Sequence, residues 1–510
     1  MSDPTADSGG TAGHGGQQDG GHGGQPGDRP GSGHGGQQGS GHGGQQGSGY
    51  GGGPRTANAA ELAALEAQLN RRWPETRIEP SLDRIATLVD VLGSPQRSYP
   101  VVHIAGTNGK TSTARMIDAL LTALGLRTGR YTSPHLQSVT ERISLDGEPV
   151  SVRQYLDTYH DIAPYVGMVD KRSADRGEPA LSKFEVLTAM AFAAFADAPV
   201  EAAVVEVGLG GSWDATNVAD GTVAAVTPID VDHVEYLGTD VAGIAAEKAG
   251  IIKPSSIAVL ASQPPKVASV LLARCADVEA TVAREGMEFG VLSREFAVGG
   301  QRLKLQGLGG VYEEIFLPLH GAHQATNAAL ALAAVEAFFG AGASRQLDPE
   351  AIVQGFASVT SPGRLERLDT APPVFADAAH NPHGARALAA ALREELGFRR
   401  VVVILATMRD KDVRGILTAL EPVTDELVVT QNTSPRALDT NELADAAVEV
   451  FGNDRVALEP VFHQAIDTAV WLANDHPLKH IPRNIRSCVV ITGSVVTAGE
   501  ARTFYGKVPA

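Results

Sequence analysis

The stretch Tyr99-Pro-Val-Val-His-Ile-Ala-Gly-Thr-Asn-Gly-Lys-Thr-Ser-Thr113 decides how the rest of the chain is read. Its apolar run from Val101 to Ala105 predicts a buried strand, broken at Gly106 and followed by a helical pattern from Thr111. Strand, Gly/Lys turn and helix in that order make a phosphate-binding loop. Gly106 and Gly109 free the backbone to turn its N–H groups inward, Lys110 supplies a mobile positive charge, and Thr111 and Ser112 offer hydroxyls to phosphate or metal. Only Thr107 and Asn108 separate the first glycine from the Gly-Lys pair, where the common loop has a longer spacer. On the loop alone, a Gly-rich strand-to-helix turn with an incidental lysine is the competing reading.

Outward from this loop, the 510 residues leave room for two large domains. A net charge of -17 argues against a nucleic-acid binder, which would show a basic face. Cys275 and Cys488 stand far apart without metal-ligand spacing, so both are expected to be buried, reduced and unpaired. No signal-peptide pattern opens the sequence and no apolar run is long enough to span a bilayer; a cytoplasmic protein without a membrane partner is expected. Residues 1–56 are Gly, His, Gln and Ser with almost no aliphatic content, and residues 31–38 repeat as 39–46. Such a segment buries too little apolar surface to offset its ordering entropy and is expected to be a disordered tail. Its His14, His22, His34 and His42 are read as solvated rather than as a metal site.

The first helical pattern runs from Glu61 to Asn70, before Trp73-Pro74, and a second runs from Leu82 to Leu92. After the loop, Thr128–Tyr131 reads as a strand entering Thr132-Ser-Pro-His-Leu136. Residues 182–197 form an apolar helix in which Phe184, Phe192 and Phe195 read as core. The strand Ala202–Val207 carries Glu206, a carboxylate that is costly to bury unless paired or metal-bound, and opens onto the Gly-rich loop 208–217. The strand Thr222–Thr227 delivers Asp230, Asp232 and His233 to a loop. In the helix Val241–Gly250, Lys248 near the negative end and Gly250 as cap fit an ordinary helix terminus. Residues 286–318 look β-rich, and His320 to Asn327 opens an Ala-rich helix reaching Phe339. From Ser361-Pro-Gly-Arg364, strands near 374–377, 400–406, 426–430 and 488–492 alternate with helices 383–396, 412–420, 440–450 and 463–474. The expected fold is therefore α/β: a P-loop ATPase domain with a mostly parallel sheet over residues 57–359, then a smaller Rossmann-like α/β domain over 360–510.

Taken in order, the blocks Gly-Thr-Asn-Gly-Lys (106–110), Thr-Ser-Pro-His-Leu with Glu-Arg-Ile (132–143), Phe-Glu (184–185), Glu-Val-Gly-Leu-Gly-Gly with Asp-Ala-Thr-Asn (206–217), Asp-His with Glu-Lys-Ala-Gly-Ile (232–251), His-Gln with Asn (323–327), Pro-Gly-Arg (362–364) and Asp-x-Ala-His-Asn-Pro (377–382) resemble the folate branch of the Mur ligase superfamily, the folylpolyglutamate synthases and dihydrofolate synthases. The resemblance covers nearly all of the chain after residue 58. It implies an ATP-dependent amide ligase adding L-glutamate to dihydropteroate and to reduced folates through an acyl phosphate. ATP, the co-substrate, would meet Gly106, Thr107, Asn108, Gly109, Lys110, Thr111, Ser112 and Asn327, with Arg364 and Asp377 reaching across from the second domain. Lys110, Lys248 and His380 would carry the chemistry. Two Mg2+ sites are implied, one on Ser133 and Glu206 and one on Glu206, His233 and Lys248, with a monovalent cation as a further candidate ligand. The pteridine would contact Ser182, Lys183, Phe184, Glu185, Trp213, Asp214 and Ala215. The resemblance also makes Lys248 a carbamate formed with carbon dioxide, in competition with its reading as a helix-end charge, and it implies a monomer. Thr111 and Ala378 stand where many folate ligases have glycine.

Two rivals share the loop. A Mur ligase acting on a UDP-sugar peptide usually carries a nucleotide-sugar domain ahead of the loop, for which the roughly 45 ordered residues here are too few. A P-loop nucleotide switch would need an Asn-Lys-x-Asp guanine motif, which the sequence lacks.

Overall fold

The computed structural model describes residues 54–72, 81–340, 342, 345–474 and 486–510. The expected tail with its four histidines and the Trp73-Pro74 pair lie outside these residues. The first described helix, Pro54–Leu69, begins ahead of the expected boundary at residue 57, and its Leu65 and Leu69 are already core.

Eight strands form the first sheet: β1 (Val101–Ala105), β2 (Thr128–Tyr131), β3 (Ile143–Leu145), β4 (Glu148–Pro149), β5 (Ala202–Glu206), β6 (Gly221–Val226), β7 (Ile257–Leu260) and β8 (Thr281–Arg284), in the order β4-β3-β2-β5-β1-β6-β7-β8. From β2 to β8 the pairing is parallel, and β3 and β4 close one edge antiparallel. Period-two alternation along β1 feeds both faces. Val102 and Ile104 join a core with the helices Lys110–Ala123 and Ala322–Phe338, while Val101 joins another with the helices Val152–Asp175 and Lys183–Asp197. The connection leaving β1 thus lies on one face and that leaving its neighbour β5 on the other. Such a switch point opens a crevice at the carboxyl ends of the two strands, and Gly106–Lys110 and Glu206–Asp214 emerge there.

A three-stranded antiparallel sheet follows, β9 (Gly290–Ala297), β10 (Gly300–Gln306) and β11 (Val311–Leu317), and packs against the helix Ala322–Phe338. The chain passes to the last sheet between the helix Pro349–Ala357 and β12 (Glu366–Thr370). With β13 (Pro373–Ala376), β14 (Arg400–Leu405), β15 (Glu426–Val429), β16 (Val456–Leu458) and β17 (Ser487–Thr492), the order is β12-β13-β17-β14-β15-β16, parallel except for the β12/β13 edge. Val401, Val403 and Leu405 face the helices Pro382–Glu394, Val413–Leu420 and Thr440–Phe451, while Val402 and Ile404 face Phe462–Asn474 and Val495–Phe504. β13 and its neighbour β17 again send their connections to opposite faces. The second crevice therefore carries Asp377–Asn381 beside Thr492–Ser494.

Candidate active site at the junction of the two sheets

Both loop glycines are required by geometry. Gly106 has φ +145°, and a Cβ there would fall 1.8 Å from Thr227 Oγ1; Gly109 has φ +90°, and its Cβ would fall 2.6 Å from Asn327 Oδ1. Asn327 is 4 % exposed and donates to Gln324 Oε1 at 3.1 Å, so its carbonyl end is held against the loop. No side chain caps the helix beginning at Lys110, which leaves its first-turn N–H groups for an anion.

The cradle is narrower than the sequence suggested, because part of the loop bonds to its own neighbours. The Thr107 N–H donates to the Pro228 carbonyl at 3.0 Å, and the Thr107 hydroxyl donates to the Asp230 carbonyl at 2.8 Å. Lys110 Nζ folds back onto the carbonyls of Gly106 and Thr107, both at 3.2 Å. Ser112 is buried and its hydroxyl meets Ser361 Oγ at 3.1 Å, from the segment leading into the second sheet. With only two residues in the spacer, the loop lies flat on the 227–230 segment, and that segment takes up donors a longer loop would present to phosphate.

Glu206 is 1 % exposed at the end of β5. Thr111 Oγ1 lies 3.0 Å from each carboxylate oxygen, and the Ser133 N–H is 3.4 Å from Oε2. Burial raises the Glu206 pKa above the carboxylate range, against the Lys110 charge and the Thr111 hydrogen bond; burial lowers that of Lys110, against Glu206 and Asp232. Beside them Thr111, Thr132, Pro134, His135, Arg364 and Ala378 line a small cleft between the two sheets. Asp377 is spent on shape: its oxygens accept the N–H groups of Leu365 and Ala379, both at 2.8 Å. Burial raises its pKa, opposed first by Arg364.

A second group of charges crosses the junction. Asp232 Oδ1 accepts Lys411 Nζ at 2.8 Å; Oδ2 accepts Asn381 Nδ2 at 2.8 Å and stands 3.5 Å from His380 Nε2 and 4.0 Å from His233 Nε2. Burial alone would raise the Asp232 carboxyl, but His380, Lys411 and His233 together hold it well below the usual carboxylate range. Asn381 also exchanges amide hydrogen bonds with Asn108 of the phosphate loop, at 3.2 and 3.3 Å. Desolvation lowers the His233 pKa, to about 3, against the pull of Asp232. The expected metal residue His233 therefore faces Asp232, and among the described residues no three His, Cys, Asp or Glu side chains gather in a metal-binding group.

Lys248 is 4 % exposed and its pKa is lowered to about 7 by burial and by the Lys110 charge. Gly250 is the C-cap, as the pattern suggested, but in a right-handed rather than a left-handed conformation. Its φ is −59°, and glycine is needed because a Cβ would fall 2.5 Å from Ser212 Cα. The helix end thus packs directly on the loop that carries Trp213–Ala215.

Most of the expected substrate residues are committed to local structure. Ser182 and Glu185 form a capping box on the helix Lys183–Asp197, Glu185 also takes Arg84, and Lys183 reaches Glu66 and Asn70 at 2.7 and 2.8 Å. Asp214 accepts the N–H groups of Leu209 and Thr216, and Ala215 is buried. Phe192 and Phe195 are core as expected. Phe184 packs against the same core but is only half-buried, its ring closing on Gly208 as Trp213 closes on Gly210. Sequence reading did not single out Lys411; its place after a parallel strand, β14, was the available signal.

The Mur ligase middle domain model matches residues 104–335, and the Mur ligase glutamate ligase domain model matches residues 363–495. The dihydrofolate synthase/folylpolyglutamate synthase of Mycobacterium tuberculosis is 61 % identical over 468 residues, 89 % of this chain and 96 % of that protein. The chain belongs to the dihydrofolate synthase/folylpolyglutamate synthase family. A structure of the M. tuberculosis folylpolyglutamate synthase with ADP and AMPPCP aligns with TM-score 0.84 and 60 % identity over 89 % of this chain and 100 % of that one. E. coli FolC in complex with DHPP and ADP aligns with TM-score 0.74 and 29 % identity over 87 % and 97 %. As a member of the dihydrofolate synthase/folylpolyglutamate synthase family, the chain is an ATP-dependent ligase, and both the nucleotide-switch and the UDP-sugar peptide readings are set aside.

Proposed function

We propose that this chain joins L-glutamate to dihydropteroate and to reduced folates at the junction described above, using ATP. The observation that carries this reading is the meeting of two half-sites: the phosphate loop with Glu206 from the first sheet, and Arg364 with Asp377–Asn381 from the second. A carboxylate is a poor acyl donor, because its leaving group would be an oxide. Transfer of the ATP γ-phosphate to it makes an acyl phosphate, the amine of glutamate attacks the acyl carbon, and the tetrahedral intermediate expels phosphate. Such a reaction needs positioning and charge neutralisation more than a strong acid or base. Lys110, the uncapped helix N-terminus and Arg364 supply positive potential on opposite walls of the cleft, and the Asn327 amide stands directly against Gly109 of the loop.

Magnesium fits the donors present. The Glu206 carboxylate is buried with one hydroxyl and one long N–H contact for its lone pairs, and magnesium needs only one or two carboxylates besides water and substrate phosphates. Thr111, Ser133 and Glu206 would hold it, and when bound it would neutralise phosphate charge. His233 and Lys248 are the proposed partners of Glu206 at a second ion; a monovalent cation is assigned no residue. Lys248 is proposed as the carbamate: a buried amine with a pKa of about 7 is neutral often enough to react with carbon dioxide, which the helix-end reading does not require. Trp213 of the loop 208–214 and Phe184, which closes on that loop from the first turn of the helix Lys183–Asp197, are the proposed pteridine contacts, with Ser182, Lys183, Glu185, Asp214 and Ala215 shaping the surface behind them. A cytoplasmic monomer is part of the same proposal: the two buried free thiols fit a reducing compartment, and among the described residues no helix is long and apolar enough to cross a membrane.

The test is incorporation of labelled glutamate by the purified protein with ATP, offering dihydropteroate and tetrahydrofolate in separate reactions. Both are expected to be extended. Incorporation with tetrahydrofolate alone would remove the dihydrofolate synthase activity, and none with either would end this reading.

A further inference from the structure

Lys411 sits in the loop between β14 and the helix Val413–Leu420, 9 % exposed, and reaches across the junction to Asp232, whose side chain is 7 % exposed. An ion pair this buried is costly to form, since both charges leave water, and it persists only where other hydrogen bonds complete it. Here Asn381 supplies the completion, and the same amide holds Asn108. The chain of contacts therefore runs from Lys411 through Asp232 and Asn381 to the phosphate loop. All three of its contacts cross between the two sheets, so the position of the second sheet and the shape of the loop are set together.

We propose that Lys411 is a positioning residue whose ion pair with Asp232 clamps the second sheet onto the phosphate loop and so fixes the nucleotide between the half-sites. Arg364 and Asp377 lie on the same half as Lys411, so the clamp positions them against the nucleotide as well. The folate side is untouched, because Phe184, on the helix Lys183–Asp197, and Trp213, in the loop 208–214, both belong to the first sheet's side of the junction.

The proposal rests on the ligase reading only for its kinetic arm; wild-type turnover in the same assay tests that reading, and the binding arm tests the clamp alone. ADP affinity is measured by calorimetry in the presence of EDTA, so that metal binding plays no part, for the wild type, Lys411→Met, Asp232→Asn and the double variant, alongside melting temperature. Lys411→Met is expected to bind ADP about tenfold more weakly and to raise KM for ATP by a similar factor while KM for tetrahydrofolate stays put. The double variant removes the unpaired carboxylate that Lys411→Met leaves behind, so it separates a clamp from mere charge balance and serves if the single variant folds poorly. It is expected to bind ADP as weakly as the worse single variant, not more weakly. Recovery of wild-type ADP affinity in the double variant, or wild-type affinity in a folded Lys411→Met, would overturn the proposal.

Discussion

A lysine buried to 4 % exposure with a second ammonium nearby has its pKa drawn down to about 7, close enough to neutrality for a free amine to be well populated, and that is the condition of Lys248. Arginine at this position keeps a permanent charge and cannot carry a carbamate. Lys248→Arg is expected to lose roughly a hundredfold in turnover, and Lys248→Ala to regain part of its activity with an added short carboxylic acid; an arginine variant of near-wild-type kcat would return the residue to the helix end. His103 shows burial acting on a base away from the chemistry. Its Nε2 is 2.9 Å from Thr216 Oγ1, which is itself bonded to Asp214, and burial lowers its pKa to about 3. An unfolded histidine titrates near 6.5, so between that value and about 3 the unfolded chain binds the extra proton, and stability is lost as pH falls through this window. Urea unfolding at pH 7 and pH 5 should therefore show the wild type losing about 2 kcal/mol more than His103→Gln. Equal losses would mean that the imidazole charges inside the fold. The type and strand position of this histidine were plain from its neighbours, but the hydroxyl that holds it lies 113 residues away, which no local pattern reports.

At the scale of elements, the helix Val241–Ala249 and the loop 208–214 are one unit. Gly211 would clash with the Glu247 carbonyl and Gly250 with Ser212 if either carried a side chain. If Gly250 were only a cap at φ −59°, alanine would be neutral or better by about 1 kcal/mol. Because it is a contact surface, Gly250→Ala is expected to cost about 1–3 kcal/mol in urea unfolding and to weaken folate binding through Trp213; a variant as stable as the wild type would deny the contact. Elements of this kind mark the boundary of what the sequence disclosed. β1, β5, β14 and β17 are continuous apolar runs that can only be central parallel strands, and their limits were readable to within a residue or two. Strand order was not readable, nor was the way the phosphate loop spends its donors on Pro228 and Asp230, since both depend on segments brought together from far along the chain. Ser182 and Glu185 had a visible capping spacing, and the family resemblance drew attention from that to a ligand role.

Over the whole molecule, the buried core begins in the helix Pro54–Leu69, with Leu65 its first buried apolar residue. Residues 1–53 offer no comparable side chains, so a chain starting at Pro54 should keep its melting temperature and turnover. A drop in either would show the Gly/His/Gln segment contributing to the body. The two sheets, by contrast, are not separable parts of the enzyme, because each supplies what the other lacks at the shared crevice. That division was legible in the strand–helix rhythm, whereas the contacts joining the halves were not, since Asp232 and Lys411 are 179 residues apart. In evolutionary terms such a pair is expected to behave as a single inherited character written in two places: losing either charge strands its partner in the interior, so drift at one position should be tolerated only alongside change at the other, which would bind the two sheets to a common history at their seam.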